Sequence, residues 1–267
     1  MMPSASNMLL EALMEIYYSH NALYEQLGKR GCPDFLWAAG SSWMLLYGDR
    51  SVPKLLVFVS GASTADLDSA GQDRLRKTRR LARELAKRAD PPFGTIEFDD
   101  RIEQISGVSL NGASVDMHGL KSWFSSLDLP VREGGMAIKA INDASSSAYH
   151  KWQRAALGST IVATDLDLVR INVASGDPLS LYELKRSYIS LDRWSPYPAD
   201  YRNFDLISDF ARMAGVDFSI VYNVRHKTPR FFDDASSLSI FSYSRQEGAK
   251  RRGQLSLDAF IGKDAHA

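Results

Sequence analysis

Asp167 opens the run Asp-Leu-Val-Arg-Ile-Asn-Val, a Ser175-Gly176-Asp177-Pro178 turn follows, and Leu179-Ser-Leu-Tyr-Glu183-Leu-Lys185 returns. Two strands joined by a turn thus carry an Asp on the first and Glu-x-Lys on the second. No other Glu-x-Lys or Asp-x-Lys occurs in the 267 residues. Two carboxylates and an ammonium on one face can hold a divalent cation beside a phosphodiester and stabilise the charge that develops there. Side chains alternate along a strand, so Asp165 and Asp167 share one face, and Glu183 and Lys185 share another. Loop length decides whether those faces coincide. An odd loop pairs odd positions with odd positions: three residues centred on Gly176 set Asp167 opposite Lys185, and five centred on Ser175 set it opposite Glu183. A two- or four-residue loop would separate the acids, and Gly176 at the loop centre favours the odd loop. In both odd registers Asp167 lies within one diagonal step of Glu183 and Asp165 lies further off. Asp167 is therefore the candidate ion ligand, with Asp165 behind it, toward Lys185 or a water.

The elements that must position this hairpin are legible on both sides of it. Ile141, Ala144, Ala148, Trp152 and Ala155 predict a helix closed by Gly158 just before the Asp strand, itself expected over 161–173 with its partner over 179–186. A helix over 200–214 burying Phe204, Ile207 and Phe210 comes next, then a strand at Val216–Val224, another at Leu238–Tyr243 and a short closing element around 255–261. In the first half the spacing predicts helices over 7–28, 34–47, 72–89 and 118–127. Strands are expected at Lys54–Ser60 and Gly94–Phe98, and a hairpin at 102–117 turning on Asn111-Gly112. The glycine pair in Val131-Arg-Glu-Gly-Gly-Met marks a boundary between an N-terminal α/β module, 1–130, and a C-terminal domain, 131–267. Helix, strand, strand, helix, strand in the second half describes an α/β protein with a central mixed sheet flanked by helices.

Asp167 followed at this distance by Glu183-Leu-Lys185, with aliphatic Leu181 and Leu184 around it, resembles the PD-(D/E)xK nuclease superfamily, the restriction-endonuclease-like fold. The resemblance covers about 136–225 and extends at most to the C-terminus. It implies a restriction-endonuclease-like core with Mg²⁺ or Mn²⁺ held by Asp167, Glu183 and the backbone carbonyl of Leu184, hard ions suited to oxygen ligands. Lys185 would orient or activate the attacking water and stabilise the phosphate. The implied activity is hydrolysis of phosphodiester bonds in nucleic acid, with DNA favoured over RNA, in settings such as restriction, repair or defence. Many members carry a Glu on the preceding helix, where this chain offers Gln153, and Thr164 and Leu166 stand where the motif's name suggests proline. The alternatives are a catalytically silent nuclease-fold module that binds nucleic acid or protein in a larger assembly, and an interaction protein whose charges are surface ion pairs.

Lys plus Arg equals Asp plus Glu at 32 each, so no global field draws the chain to nucleic acid and any affinity must come from local patches. Arg76, Arg79, Arg80 and Arg83 crowd one predicted helix and are candidate phosphate contacts, although a solvated helix face carries the same pattern. Lys151 and Arg154 before the Asp strand, and Arg225 and Lys227 with Arg230 after a core strand, are further candidates. Lys250-Arg-Arg252 reads as a solvated loop. One cysteine, Cys32, excludes an internal disulfide framework, and five histidines without ligand spacing argue against zinc. Ser60-Gly-Ala-Ser-Thr64 lacks the ending of a P-loop. The opening Met1-Met-Pro-Ser-Ala-Ser-Asn has neither the basic nor the apolar region of a signal peptide, and no aliphatic run is long enough to cross a bilayer. The expectation is a cytoplasmic protein without a membrane partner, in which the first 130 residues bind substrate or a protein partner and the oligomeric state is open.

Overall fold

Trp43-Met-Leu-Leu-Tyr47 is apolar on both faces, and in the computed structural model, which describes residues 21–132, 147–228 and 232–262, it forms a central strand rather than part of a helix. Met44 and Leu46 turn to one hydrophobic cluster, and Leu45 and Tyr47 turn to another. A strand buried on both faces reads as a continuous apolar run, which periodicity cannot tell from a buried helix, so the helix expected over 34–47 is replaced by strands β1 (Phe35–Leu36) and β2 (Ser42–Asp49). From β2 the chain turns back into β3 (Val52–Gly61), crosses through α2 (Ser69–Ala89) to a parallel β4 (Phe93–Phe98), and continues through the hairpin β5 (Gly107–Leu110) and β6 (Ala113–Asp116). Asn111 and Gly112 hold φ of 52° and 87°, the left-handed pair expected of a two-residue hairpin turn. Helix α1 (Ala22–Lys29) precedes these strands and α3 (Met117–Ser126) follows them. The part of the 7–28 helix before residue 21, and the glycine pair near 134, lie outside the described residues.

The second half departs from expectation at one consequential place. The strand expected over 161–173 breaks at Leu166–Asp167 into β7 (Ile161–Asp165) and β8 (Leu168–Ile171), which belong to different sheets. β7 pairs with β2, and Leu166 N–H still donates to the Met44 carbonyl at 2.9 Å. β8 pairs antiparallel with β9 (Pro178–Ser187), and α5 (Tyr201–Ala214) then crosses to β10 (Asp217–His226), parallel to β9. β11 (Phe232–Ser244) and β12 (Gly248–Ser256) complete that sheet antiparallel, and the one-turn α6 (Leu257–Phe260) follows. Lys250–Arg252, expected as a solvated loop, lies on this edge strand, where Arg251 bonds back to the 191–194 segment.

The fold is α/β, and the described residues form two mixed six-stranded sheets, ordered β6-β5-β4-β3-β2-β7 and β1-β8-β9-β10-β11-β12, in place of the single central sheet expected. Helices α3 and α4 (Ala148–Leu157) cover the outer face of the first sheet, α2 and α5 lie between the sheets, and α1 and α6 cover the outer face of the second. The middle layer packs Leu81, Leu85 and Phe210 against Leu46 and Phe58 of one sheet and Leu181 of the other. The chain halves are interleaved: β1 joins the second-half sheet, β7 joins the first-half sheet, and both contribute to this core. Among the described residues, no helix is long and apolar enough to cross a membrane.

Candidate active site

The β8–β9 ladder pairs Leu168 with Tyr182, Val169 with Leu181 and Arg170 with Ser180. Continued by one residue, this register sets Asp167 opposite Glu183, the outcome expected of a five-residue loop. It is reached by another route. Asn172 N–H donates to the Asp177 carbonyl at 2.8 Å, which closes an even turn around Gly176 at φ 78°. The ladder then slips between Arg170 and Ile171, with Ile171 opposite Pro178, so Leu179 becomes the extra residue of a bulge. The bulge restores the parity that the even turn removes, and brings the acids back to one face.

Sheet switching gives the acids their setting. Asp165 ends β7 in one sheet, Asp167 lies in the two-residue crossing, and Glu183 and Lys185 face the same space from the other sheet. The crossing is pinned by Tyr24 of α1, whose hydroxyl donates to the Asp167 carbonyl at 2.8 Å. The Asp167 carboxylate accepts the Leu184 N–H at 2.8 Å. Glu183 is 6% exposed and receives the Lys185 ammonium at 2.9 Å. Asp200, at the start of α5, stands 3.9 Å from the same ammonium, and the Phe204 ring centre is 5.4 Å away.

The charge balance is unusual. Burial, then Glu183, pushes the Asp165 carboxyl up to about 7 against the opposing pull of Lys185. Burial, Glu183 and Asp165 push Asp167 well above the usual carboxylate range, against the Leu184 N–H and Lys185. Burial draws the Lys185 ammonium down, but Glu183 and Asp200 outweigh it and the group is held above its ordinary value. Asp165, Asp167, Glu183 and Asp200 thus share one ammonium, and the first two are ionised only at a cost. Hard oxygen donors crowded in this way fit Mg²⁺ or Mn²⁺ in chemical type. They are not drawn into a closed cage: among the described residues no three His, Cys, Asp or Glu side chains are gathered closely enough to hold an ion by themselves.

A cleft of about 520 Å³ opens over Asp165, Asp167, Glu183 and Lys185. Its far wall is α4, which contributes His150, Gln153 and Arg154, and its near end is the first turn of α5, with Arg202 and Asn203. Gln153 is on the cleft wall, and its carboxamide accepts the Tyr47 hydroxyl at 2.6 Å. Arg202 donates to the carbonyls of Ser159 and Thr160 at 3.1 and 2.7 Å, joining α5 to the segment before β7. Burial, then Arg154, depresses His150 to about 4, so it is neutral near pH 7. Asp200, Arg202 and Asn203 were not anticipated. The available signal is positional, because the crossover after a Glu-x-Lys strand returns its helix to the carboxyl end of that strand.

The expected basic contacts divide. Arg154 lines the cleft and Lys151 is exposed on the same helix. Arg225 is 9% exposed and donates to Asp233 at 2.9 Å, while Arg186 donates to the other oxygen of that carboxylate at 2.8 Å. Arg225 is therefore a buried structural partner rather than a surface contact. Lys227 is exposed, with its ammonium 4.4 Å from the Tyr188 ring centre. No residue of α2 lines the cleft. Arg76 pairs with Asp73 at 3.4 Å, Arg79 with Glu97 at 2.9 Å, Arg83 lies over the Phe93 ring, and Arg80 is exposed. Arg230 lies outside the described residues. Comparison of the chain with family models, with curated proteins and with solved structures returns no match to any of them.

Proposed function

We propose that this chain is a metal-dependent nuclease, hydrolysing phosphodiester bonds of nucleic acid, DNA before RNA, with a restriction-endonuclease-like core made of α4, β7–β9, α5 and β10. The observation that carries the reading is the meeting of Asp167, Glu183 and Lys185 in one cleft, where crowded carboxylates share a single ammonium. The order of elements supports it: a helix, an antiparallel pair, a crossover helix and a parallel strand. Asp167, Glu183 and the Leu184 carbonyl would hold Mg²⁺ or Mn²⁺, with Asp165 behind them. When bound, such an ion supplies positive charge to phosphate oxygens and acidity to water. Lys185, held between Glu183 and Asp200, presents an ammonium, which suits orienting water and offsetting charge on the phosphate rather than taking a proton. Arg154 on the cleft wall offers a guanidinium to a neighbouring phosphate. A cytoplasmic setting belongs to the same proposal.

One observation favours a second reading, a module that binds nucleic acid or a protein partner without cleaving. Gln153 occupies the cleft wall where a further carboxylate would strengthen ion binding, and no preformed cage of ligands is present among the described residues. Titration with Mg²⁺ and Mn²⁺, followed by incubation with labelled DNA and RNA, separates the two. The nuclease reading predicts ion binding that is lost in Glu183→Ala and products that require the ion. Binding of nucleic acid with neither ion affinity nor products would leave the silent module.

A further inference from the structure

Beyond Lys185, β9 ends at Ser187 and the chain enters a loop that leaves Tyr188 and Ile189 41% and 38% exposed. These two, with Ser190 and Arg193, line a separate open groove of about 530 Å³. The loop is held firmly from beneath. The Tyr222 hydroxyl donates to the Ser187 carbonyl at 3.1 Å and also reaches the Ile189 carbonyl. The Arg251 guanidinium donates to the carbonyls of Leu191, Asp192 and Trp194 at 2.6, 3.1 and 2.6 Å. Trp194 stacks on Tyr222 at 4.1 Å, so the loop's own large ring is already in the core while Tyr188 is directed outward. Lys227 lies over Tyr188, and on the adjoining strands His226 stacks on an exposed Phe232 at 4.5 Å and 12°. Exposed ring faces and cations thus gather around the carboxyl ends of β9, which carries Glu183 and Lys185, and of the parallel β10.

We infer that this rim binds single-stranded nucleic acid, stacking bases on Tyr188 and the His226–Phe232 pair while Lys227 and Arg193 take the phosphates, and feeds the strand to the carboxylate cleft. The inference rests on the nuclease reading for the fate of the strand but not for its binding. Two independent features favour a single strand over a duplex. Aromatic platforms beside cations take any unpaired base, because every base has a π-face, whereas a duplex keeps its bases in the stack. The acids are also recessed: Glu183 is 6% exposed in a cleft of about 520 Å³, a size that suits an unpaired nucleotide.

The test measures anisotropy of labelled DNA and RNA oligonucleotides, single-stranded and duplex, in EDTA, with cleavage in Mg²⁺ followed in parallel. The wild-type protein should bind single strands at least tenfold more tightly than duplexes of the same sequence. Tyr188→Ala should weaken single-strand binding about tenfold, as expected for one lost stacked base, with duplex binding unchanged and Tyr188→Phe close to wild type. Lys227→Gln should lower the salt dependence of single-strand binding. Equal affinity for both forms, or an unaltered Tyr188→Ala, overturns the inference even if Mg²⁺-dependent cleavage is seen. A Tyr188-dependent preference for single strands without cleavage leaves the inference standing and removes the nuclease reading. No binding to any of the four probes overturns the inference outright.

Discussion

Raising the pH from about 6.5 to about 8.5 should lower the folding stability of the ion-free protein, the reverse of the usual behaviour of paired carboxylates. Asp165 is pushed up to about 7 by burial and by Glu183, so the folded state retains a proton that the unfolded chain has released. Where the folded state binds more protons, stability falls as pH rises. For Asp165 the fall begins above the ordinary carboxylate value of 3.8 and levels off above about 7. At roughly 1.4 kcal/mol per pH unit of displacement, the whole fall from pH 3.8 to above 7 amounts to about 4 kcal/mol at most, and about 2–4 kcal/mol once the cleft relaxes. Of this about 1 kcal/mol remains above about pH 6.5, where Asp165 is already losing its proton. Asp167 adds to the fall in the same direction. His150 acts in the opposite sense, since a ring depressed to about 4 by burial and by Arg154 adds stability as pH rises toward its ordinary value of 6.5. Its contribution is complete by then, which is why the window opens there. Lys185 and the buried tyrosines, held above their ordinary values, contribute only above about pH 10.

Urea unfolding followed by tryptophan fluorescence, for wild type and Asp165→Asn, isolates the effect. The two should be similar near pH 4 and diverge as pH rises, with the variant more stable by about 2–4 kcal/mol near pH 8.5. Mg²⁺ at a hundredfold excess over its dissociation constant should restore about 2.7 kcal/mol to wild type, and more effectively at pH 8 than at pH 6, where protons compete for the same oxygens. A difference between wild type and variant that is flat or shrinks as pH rises would refute the idea that the cleft strains its acids.

Two other outcomes follow from the same geometry. Asp167→Asn should lose Mg²⁺ affinity while Asp165→Asn retains most of it, measured by calorimetric titration; the reverse would exchange their roles. Arg154→Gln should reduce the slope of log affinity for nucleic acid against log salt by about 1, whereas Arg76→Gln and Arg80→Gln should leave it unchanged, because α2 does not reach the cleft. A slope that responds to α2 instead would move the phosphate contacts there.

Much of this site was legible because its chemistry is local in sequence. Glu183 and Lys185 sit on one strand, the turn before them announces the hairpin, and alternation alone puts them on one face. Helices α2 and α5 were readable because each has one apolar stripe, and the Asn111-Gly112 turn because few residues tolerate its backbone angles. The missed features depend on distant partners. β2 is buried on both faces by helices far along the chain, which erased the alternation that would have marked a strand. β7 and β8 look like one strand because the switch at Leu166–Asp167 carries no glycine or proline; only pairing with β2 on one side and β9 on the other divides it. The Leu179 bulge likewise leaves no compositional mark. Arg225 looked like a surface cation because Asp233, which neutralises it, lies across a strand pair.

Incubating wild-type protein and Lys185→Ala with end-labelled single- and double-stranded DNA and RNA, in Mg²⁺ and in EDTA, tests the central claim most directly. Lys185 meets Glu183, Asp200 and the Phe204 ring, and its side chain is 25% exposed, so circular dichroism is run beside the assay to show that the variant is folded. The account predicts shortened products from wild type in Mg²⁺, none in EDTA, and none from Lys185→Ala in either. Equal cleavage by Lys185→Ala, or no cleavage by wild type with Mg²⁺ or Mn²⁺ on any of the four substrates, would contradict it.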